Sequence, residues 1–493
     1  MDSSTFTMLK ALAPVIPSLA GTALKHSLGL TPTANERDAR TEVTVQAMRF
    51  VMGGLGKPRP IGQLQAVMLQ DPGVKGPMWI AKATIPPPDS AQQGLTEAVF
   101  RAIEELKVDP SDELKYTKPG LVDVEVEWTG YRPGAAKDAP LPNIDEKEKY
   151  ARLLGEDTRI NDTTVLYFHG GAYYVCDPAT HRLQCSRLAK ECGGKVCNVR
   201  YRLAPQTAFP GQLLDALQVY LSLLYPPAGS MHEPVKVQHI IFAGDSAGGN
   251  LAFALLQLLL HFHRATAEPT ILFHGKEVSV PLPGGVSGNS AWFDITRSMA
   301  SMEIMAKYDY LPPVSHDKPM GRRPIPPDAV WPTDPPRGDF FCDLSLLDHP
   351  LTSMLGAASW AQAPPLWLMT GWEMLSDEIR VVASRAAGQG VKVQYEEYEA
   401  MPHVFQMLLP WHKSSAALYR SWGEFCRKCA VEPEAMETNG KVFKANTGEE
   451  ASIEVGTWDQ LTFTEVKQKM RSARDARIKS FGLSGTETTK ATL

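Results

Sequence analysis

From Leu121 to Trp128 the chain alternates apolar and polar residues, the period-two pattern of a strand. Thr163–Phe168, Lys195–Val199, Val237–Ala243, Ala363–Thr370 and Val391–Tyr398 are short runs rich in branched and aromatic residues, and they read as further strands. Phe209–Tyr220 and Asn250–Leu260 have helical character, the second apolar at nearly every position. Upstream, Arg37–Met52 and Ala91–Leu106 place apolar residues near i, i+3 and i+4, so residues 1–115 are expected to be mainly helical. The Pro-rich Ile85–Ser90 separates those two helices. Pro312–Pro336 holds nine prolines in 25 residues, too many for a helix or a central strand, and is expected to be a rigid irregular loop. Beyond Cys429 the chain turns polar, with a candidate β-ribbon at Val442–Thr457 and a charged helix at Phe463–Ile478 whose basic face reads as solvated.

Residues 244–248, Gly-Asp-Ser-Ala-Gly, fall between the strand Val237–Ala243 and the helix Asn250–Leu260. A serine on a sharp strand-to-helix turn presents its hydroxyl at the top of a sheet, and flanking glycines allow the close backbone approach this needs. Ser246 is therefore the candidate nucleophile. After the strand Thr163–Phe168 comes His169-Gly-Gly-Ala172, a turn able to aim successive N–H groups at the negative charge that grows on a carbonyl oxygen. The N–H of Ala247 would join them. His169 lies too close to that turn to be the base and reads as a brace. His403 follows the last strand and precedes a helix, downstream of the serine, and is the candidate base. His232, His316, His349 and His412 lack that context. For the acid, Glu373 comes directly off the strand Ala363–Thr370, and Asp377 lies one helical turn on. The order serine, carboxylate, histidine fits either. Glu373 is preferred, because Asp377 has a sufficient role in charging a helix N-terminus.

The set His169-Gly-Gly-Ala, Tyr201-Arg-Leu-Ala-Pro205, Gly244-Asp-Ser-Ala-Gly-Gly-Asn250 and Glu373-Met-Leu-Ser-Asp-Glu378, followed by Pro402-His403, resembles the hormone-sensitive-lipase-like branch of the α/β-hydrolases. That branch includes carboxylesterases and arylacetamide-deacetylase-like enzymes. The resemblance implies an α/β fold with a mostly parallel central sheet flanked by helices and a helical cap, and the polar residues after Cys429 add a C-terminal extension. Together they place an N-terminal cap in residues 1–115, the core in 116–300 and 346–430, a Pro-rich cap insertion in 301–345 and the extension in 431–493. The resemblance implies Ser246 as nucleophile, His403 as base, and Gly170, Gly171 and Ala247 as oxyanion donors. The family's acid heads a segment like Asp-Pro-Leu-x-Asp-Glu; here glutamate and methionine stand at its first two positions. Alanine replaces the family's third glycine at position 172, where φ is expected to be negative. Tyr201 and Arg202 read as structural.

Composition narrows the function rather than the fold. Hydrophobic residues at 43% and charged residues at 21% describe an ordinary globule. A net charge of −5 gives no electrostatic case for nucleic acid. Seven scattered cysteines show no disulfide framework and point to a reducing, cytoplasmic setting; Cys426-x-x-Cys429 reads as structural. Ala11–Leu24 is apolar but short and interrupted by Pro14 and Pro17, and no basic segment precedes it. It is expected to cover the active site or to touch a membrane surface, giving peripheral association. The leading expectation is a serine hydrolase acting on a small hydrophobic ester or an acylated natural product, with no metal or cofactor. The alternative is a natural-product tailoring enzyme of the same fold, performing deacylation, lactone chemistry, acyl transfer or cyclisation. A non-catalytic receptor is disfavoured because serine, histidine and carboxylate all persist. Oligomeric state is not legible.

Overall fold

Strands covered by helices on both faces need apolar residues at consecutive positions, which is how Thr163–Phe168 and Val237–Ala243 read. A computed structural model describes residues 13–52, 58–88, 94–155, 159–312, 325–445, 447–456 and 461–490, the last eight by backbone alone. The strands are β1 (Met78–Ile85), β2 (Val124–Tyr131), β3 (Thr164–Phe168), β4 (Lys195–Arg200), β5 (Ile240–Asp245), β6 (Thr270–Phe273), β7 (Lys276–Ser279), β8 (Gly285–Asn289), β9 (Leu366–Gly371), β10 (Val393–Tyr398), β11 (Asn439–Phe443) and β12 (Glu450–Ile453). Ten form one sheet in the order β1-β2-β4-β3-β5-β8-β9-β10-β11-β12, while β6 and β7 make a separate hairpin. Pairing is parallel from β4 through β11 and antiparallel at β1–β2, β2–β4 and β11–β12.

Alternation along the strands feeds two cores. Leu166 and Phe168 of β3, with Ile240 and Phe242 of β5, face the helices Gly211–Leu224 and Ala247–Ala265. Val165, Tyr167, Ile241 and Ala243 face the helices Pro178–Cys192 and Lys413–Val431 on the other side. Cys426 and Cys429 are buried free thiols in that second layer. The strand once read from Val237 begins at Ile240, because the polar Gln238 and His239 form a short 3-10 turn at the sheet's lower edge.

The N-terminal region differs from the helical expectation. Helices do cover Ile16–Ser27, Ala39–Met52, Ile61–Met68 and Gly94–Glu105. Met78–Ile85, however, is β1, zipped in full register onto β2, so the core sheet starts well before residue 116. Its burial is irregular, which hid it from a strict period-two reading. The helices Ala39–Met52 and Ile61–Met68 dock through polar contacts: Arg49 Nε donates to Asp309 O (2.7 Å), and Gln65 Nε2 donates to Tyr174 O (2.8 Å). Ile16, Leu24, Leu28 and Leu30 are 53%, 63%, 63% and 69% exposed. No helix among the described residues is long and apolar enough to cross a membrane. Residues 313–324 of the Pro-rich stretch, and His316 with them, lie outside the described residues.

The C-terminal extension is also more integrated than expected. β11 and β12 extend the main sheet, so its edge lies beyond residue 430. The final helix, Phe463–Lys490, buries Val466 and Met470 in the first core. Its basic face is not simply solvated. Arg471 pairs with Asp112 (2.8 Å) and Asp348 (2.9 Å), Arg474 with Asp348 (3.2 Å), and Arg477 with Asp339 (2.6 Å). Spacing at three-residue intervals aligns the arginines on one face, and the acids waiting opposite come from distant segments. Asp348 is nearly fully buried between two of them. Its replacement in Asp348→Ala leaves both guanidinium groups under-paired and is expected to cost about 1–3 kcal/mol in urea denaturation. An unchanged midpoint would mean that the Asp348 pairs add nothing to what Val466, Met470 and the pairs with Asp112 and Asp339 supply.

Candidate active site

β5 ends at Asp245 and the next helix starts at Ala247, so Ser246 alone makes the turn, with φ 53° and ψ −121°. A positive φ is strained for serine and persists only where the surroundings fix it. Here Ser246 N donates to Asn289 O (3.0 Å), and its carbonyl accepts from Trp292 N (3.1 Å). The glycines are required by space: a Cβ on Gly244 would lie 2.3 Å from the Gly248 carbonyl carbon, and one on Gly248 would lie 2.0 Å from Phe168 O.

Three elements bring the next groups to this hydroxyl. The loop after β10 carries His403, whose Nε2 is 2.9 Å from Ser246 Oγ. The loop after β9 carries Glu373, whose Oε2 is 2.5 Å from His403 Nδ1. Glu373 is fully buried, and its other oxygen accepts from Thr370 Oγ1 (2.9 Å) and Gly371 N (3.2 Å). Burial alone would depress the His403 imidazole. The Glu373 carboxylate, with the charges of Asp309 and Asp245, outweighs it and holds His403 above its ordinary value. Val404 follows with φ 46°, an αL turn that a branched residue rarely adopts. Asp377 faces away: its Oδ2 accepts from Ser301 N (2.8 Å), and Arg380 lies 3.4 Å from its other oxygen. It therefore anchors the helix Ser376–Gly388 to the segment at residue 301 rather than approaching the histidine.

Gly170 stands apart from the amides that follow it. Gly170 N already donates to Asp245 Oδ1 (3.2 Å), so that amide is not free for an oxyanion. The N–H groups of Gly171, Ala172 and Ala247 meet no acceptor among the described residues. Ala172 also departs from the negative φ expected of it, at 50°, and Tyr173 follows at 66°. Gly171 has φ 113°, and a Cβ there would lie 2.1 Å from Val175 O, so this position requires glycine. Three successive positive-φ residues make the chain turn tightly here.

What holds this loop was not visible in the sequence. Asp245, inside the Gly-Asp-Ser-Ala-Gly string, is fully enclosed and accepts from Tyr167 Oη, Gly170 N, His181 Nε2 (3.3 Å) and Gln184 Nε2 (3.3 Å). Burial raises its carboxyl, but His181 offsets this and the net direction is down. His169 is stacked on Tyr201 with ring centroids 4.3 Å apart, and Tyr201 Oη donates to His169 O (2.5 Å). Burial, then His181 beside it, push His169 down to about 3, so it is a neutral brace. Arg202 pairs with Asp215 (2.7 Å). His349 is a buried core residue whose Nε2 donates to Ile103 O (3.0 Å), and His412 caps the helix Lys413–Val431. His232 packs against Trp128. Among the described residues no cluster of three or more His, Cys, Asp or Glu could hold a metal.

Residues 165–407 match a family model described as the alpha/beta hydrolase fold. The chain is 29% identical over 278 residues to an "Acetyl-hydrolase" of Streptomyces hygroscopicus, covering 56% of this chain and 78% of that protein. It is 35% identical over 124 residues to the "Versiconal hemiacetal acetate esterase stcI" of Emericella nidulans, covering 24% of this chain and 41% of that one. Among solved structures, an esterase from the bacterial hormone-sensitive lipase family aligns with TM-score 0.49 and 23% identity, over 80% of this chain and 99% of that chain.

The Glu373–His403 contact makes a prediction independent of any reaction. The His403 imidazole should titrate above the ordinary 6.5, followed through its low-field Nδ1 proton by NMR. Because the folded value is raised, the stability this contact confers is full below that ordinary value and fades as pH rises through the folded midpoint. In Glu373→Gln burial acts with one fewer carboxylate opposing it, and the midpoint should fall. A wild-type midpoint at or below the ordinary value contradicts the geometry.

Proposed function

We propose that this chain, whose residues 165–407 match a model of the alpha/beta hydrolase fold, is a serine esterase of the hormone-sensitive-lipase-like branch working through an acyl-enzyme with Ser246, His403 and Glu373. The observation that carries the proposal is the continuous chain of contacts from Ser246 Oγ through His403 to Glu373, at 2.9 and 2.5 Å. Ser246 Oγ attacks the ester carbonyl while its proton passes to His403 Nε2. Glu373 accepts from Nδ1–H throughout, which fixes the tautomer and stabilises the imidazolium without taking the proton. Charge develops on the former carbonyl oxygen, where the free N–H groups of Gly171, Ala172 and Ala247 serve as donors. Collapse of the tetrahedral species expels the alcohol, which receives the proton from Nε2. Water then gives a proton to the same nitrogen and attacks the acyl carbonyl, and the second collapse releases the acid and restores Ser246.

Gly170 is not part of this donor set. Its role is to let Asp245 approach: a Cβ there would lie 2.3 Å from Asp245 Oδ2. Asp245 then pins the loop from behind while the next two amides face the site. The relatives' names support a small acyl group, since two of them act on acetyl or acetate esters by name. A second reading, deacetylation of a natural-product scaffold, rests on the similarity to the hemiacetal acetate esterase.

Hydrolysis of p-nitrophenyl acetate and butyrate tests the leading reading. Ser246→Ala should lose at least about ten-thousandfold in kcat. Gly171→Ala, which forces the donor loop off Val175 O, should lose about a hundredfold or more in kcat. Equal turnover by wild type and Ser246→Ala would remove the proposal. Strong turnover of an acetylated polyketide with little action on simple esters would favour the second reading.

A further inference from the structure

Asp309 is fully buried and takes no part in the steps above. It lies on the strip after the short helix Ser301–Ile304, yet its carboxylate reaches both loops that carry the candidate base and acid. Oδ1 accepts from Tyr310 N (2.7 Å), Leu311 N (3.3 Å) and His403 N (3.4 Å). Oδ2 accepts from Met374 N (2.9 Å), the residue directly after Glu373. Its backbone carbonyl accepts from Arg49 Nε (2.7 Å), and Arg49 Nη2 also holds the carbonyls of Lys307 (2.7 Å) and Ala306 (2.9 Å). The N-terminal helix Ala39–Met52 thus grips the strip from outside while Asp309 grips the catalytic loops from inside.

We propose that Asp309 is a positioning residue for the serine-esterase reaction, a second buried carboxylate that clamps the His403 loop to the Glu373 loop and holds the imidazole between Ser246 and Glu373. The inference rests on the proposed serine-esterase reading, and it assigns a function to a segment that lies outside the family's sequence motifs. Two arguments favour a clamp over a filler. A carboxylate taken into the interior costs several kcal/mol unless its oxygens are satisfied, and the donors satisfying this one come from the two loops whose separation decides the reaction. Both oxygens are met by N–H groups, so neither is left unsatisfied in the interior. Burial, and then Glu373 nearby, push the Asp309 carboxyl up, while His403 and the amides of Met374 and Leu311 pull it down; the net direction is up.

The charges facing His403 are Glu373 from the β9 loop, Asp309 from the strip and Asp245 from the end of β5, with the Tyr310 ring at 6.1 Å. Removing one of the three carboxylates changes the proton affinity of the imidazole, which a filler residue would not do. Asp309→Asn keeps the shape and removes the charge, and it turns an amide N–H toward one of the present donors. The expected result is a His403 midpoint lower by about one pH unit, read from its low-field proton. In ester hydrolysis the acidic limb of kcat/KM moves down by the same amount, and kcat falls about ten- to hundredfold with KM within about twofold. Asp309→Glu keeps the charge but displaces it by one methylene, so the midpoint stays near wild type while kcat still falls; it also serves where Asp309→Asn does not fold. An unmoved His403 midpoint in Asp309→Asn overturns the proposal whatever happens to stability, as does a kcat for both variants equal to wild type. If wild type hydrolyses no ester, the esterase reading fails, and the titration still decides whether Asp309 acts on His403.

Discussion

A buried carboxylate against a buried imidazole is the constraint on which this molecule turns. Glu373 is fully buried, so its oxygens depend on His403 Nδ1, Thr370 Oγ1 and Gly371 N. Those partners are available only if β9 and β10 run parallel and adjacent, ending at the same level. The same sheet sets β5 one strand further on, past β8, and so fixes how far Ser246 lies from the histidine. The two cores on either face of the sheet keep these strands in register, and the site inherits its geometry from them.

The site is also a place where charges of like sign are brought together. Asp245, Asp309 and Glu373 all bear on His403. Each carboxylate has its own satisfaction: Asp245 from His181, Tyr167 and Gln184, Asp309 from backbone amides, and Glu373 from the His403 imidazole. In the proposed reaction the imidazolium of His403 would meet a pocket already arranged for positive charge. Such preorganised electrostatics costs no rearrangement at the moment of reaction. Backbone strain at Ser246, Ala172 and Val404 accompanies it, in the turns that carry Ser246, the Gly171–Ala172 amides and His403.

How much of this was legible in the sequence follows from range. Ser246 was readable because its turn is local: glycines, strand and helix lie within a few residues. His403 and Glu373 were readable from their place after strands. Glu373 in place of an aspartate does not prevent contact, because the residue leaves β9 close enough to His403 for the longer chain to fold back onto Gly371 N. The donor loop was half legible. A His-Gly-Gly-Ala string announces a tight turn, but which amides are free depends on Asp245 from another strand. Asp309 lay in a segment with no strand and only a four-residue helix, and its partners are 65 and 94 positions away, so no periodicity could reveal it. β1 and the arginine face of the last helix escaped for the same reason: their meaning comes from partners distant in the chain.

The account stands or falls on a covalent intermediate at one serine. Rapid acid quench of the full chain with p-nitrophenyl acetate, followed by peptide mapping by mass spectrometry, looks for it directly. The account predicts an acetyl group on the peptide containing Ser246, formed at the rate of the p-nitrophenol burst and absent in Ser246→Ala. Hydrolysis without any adduct at Ser246, or the same adduct in Ser246→Ala, would contradict it.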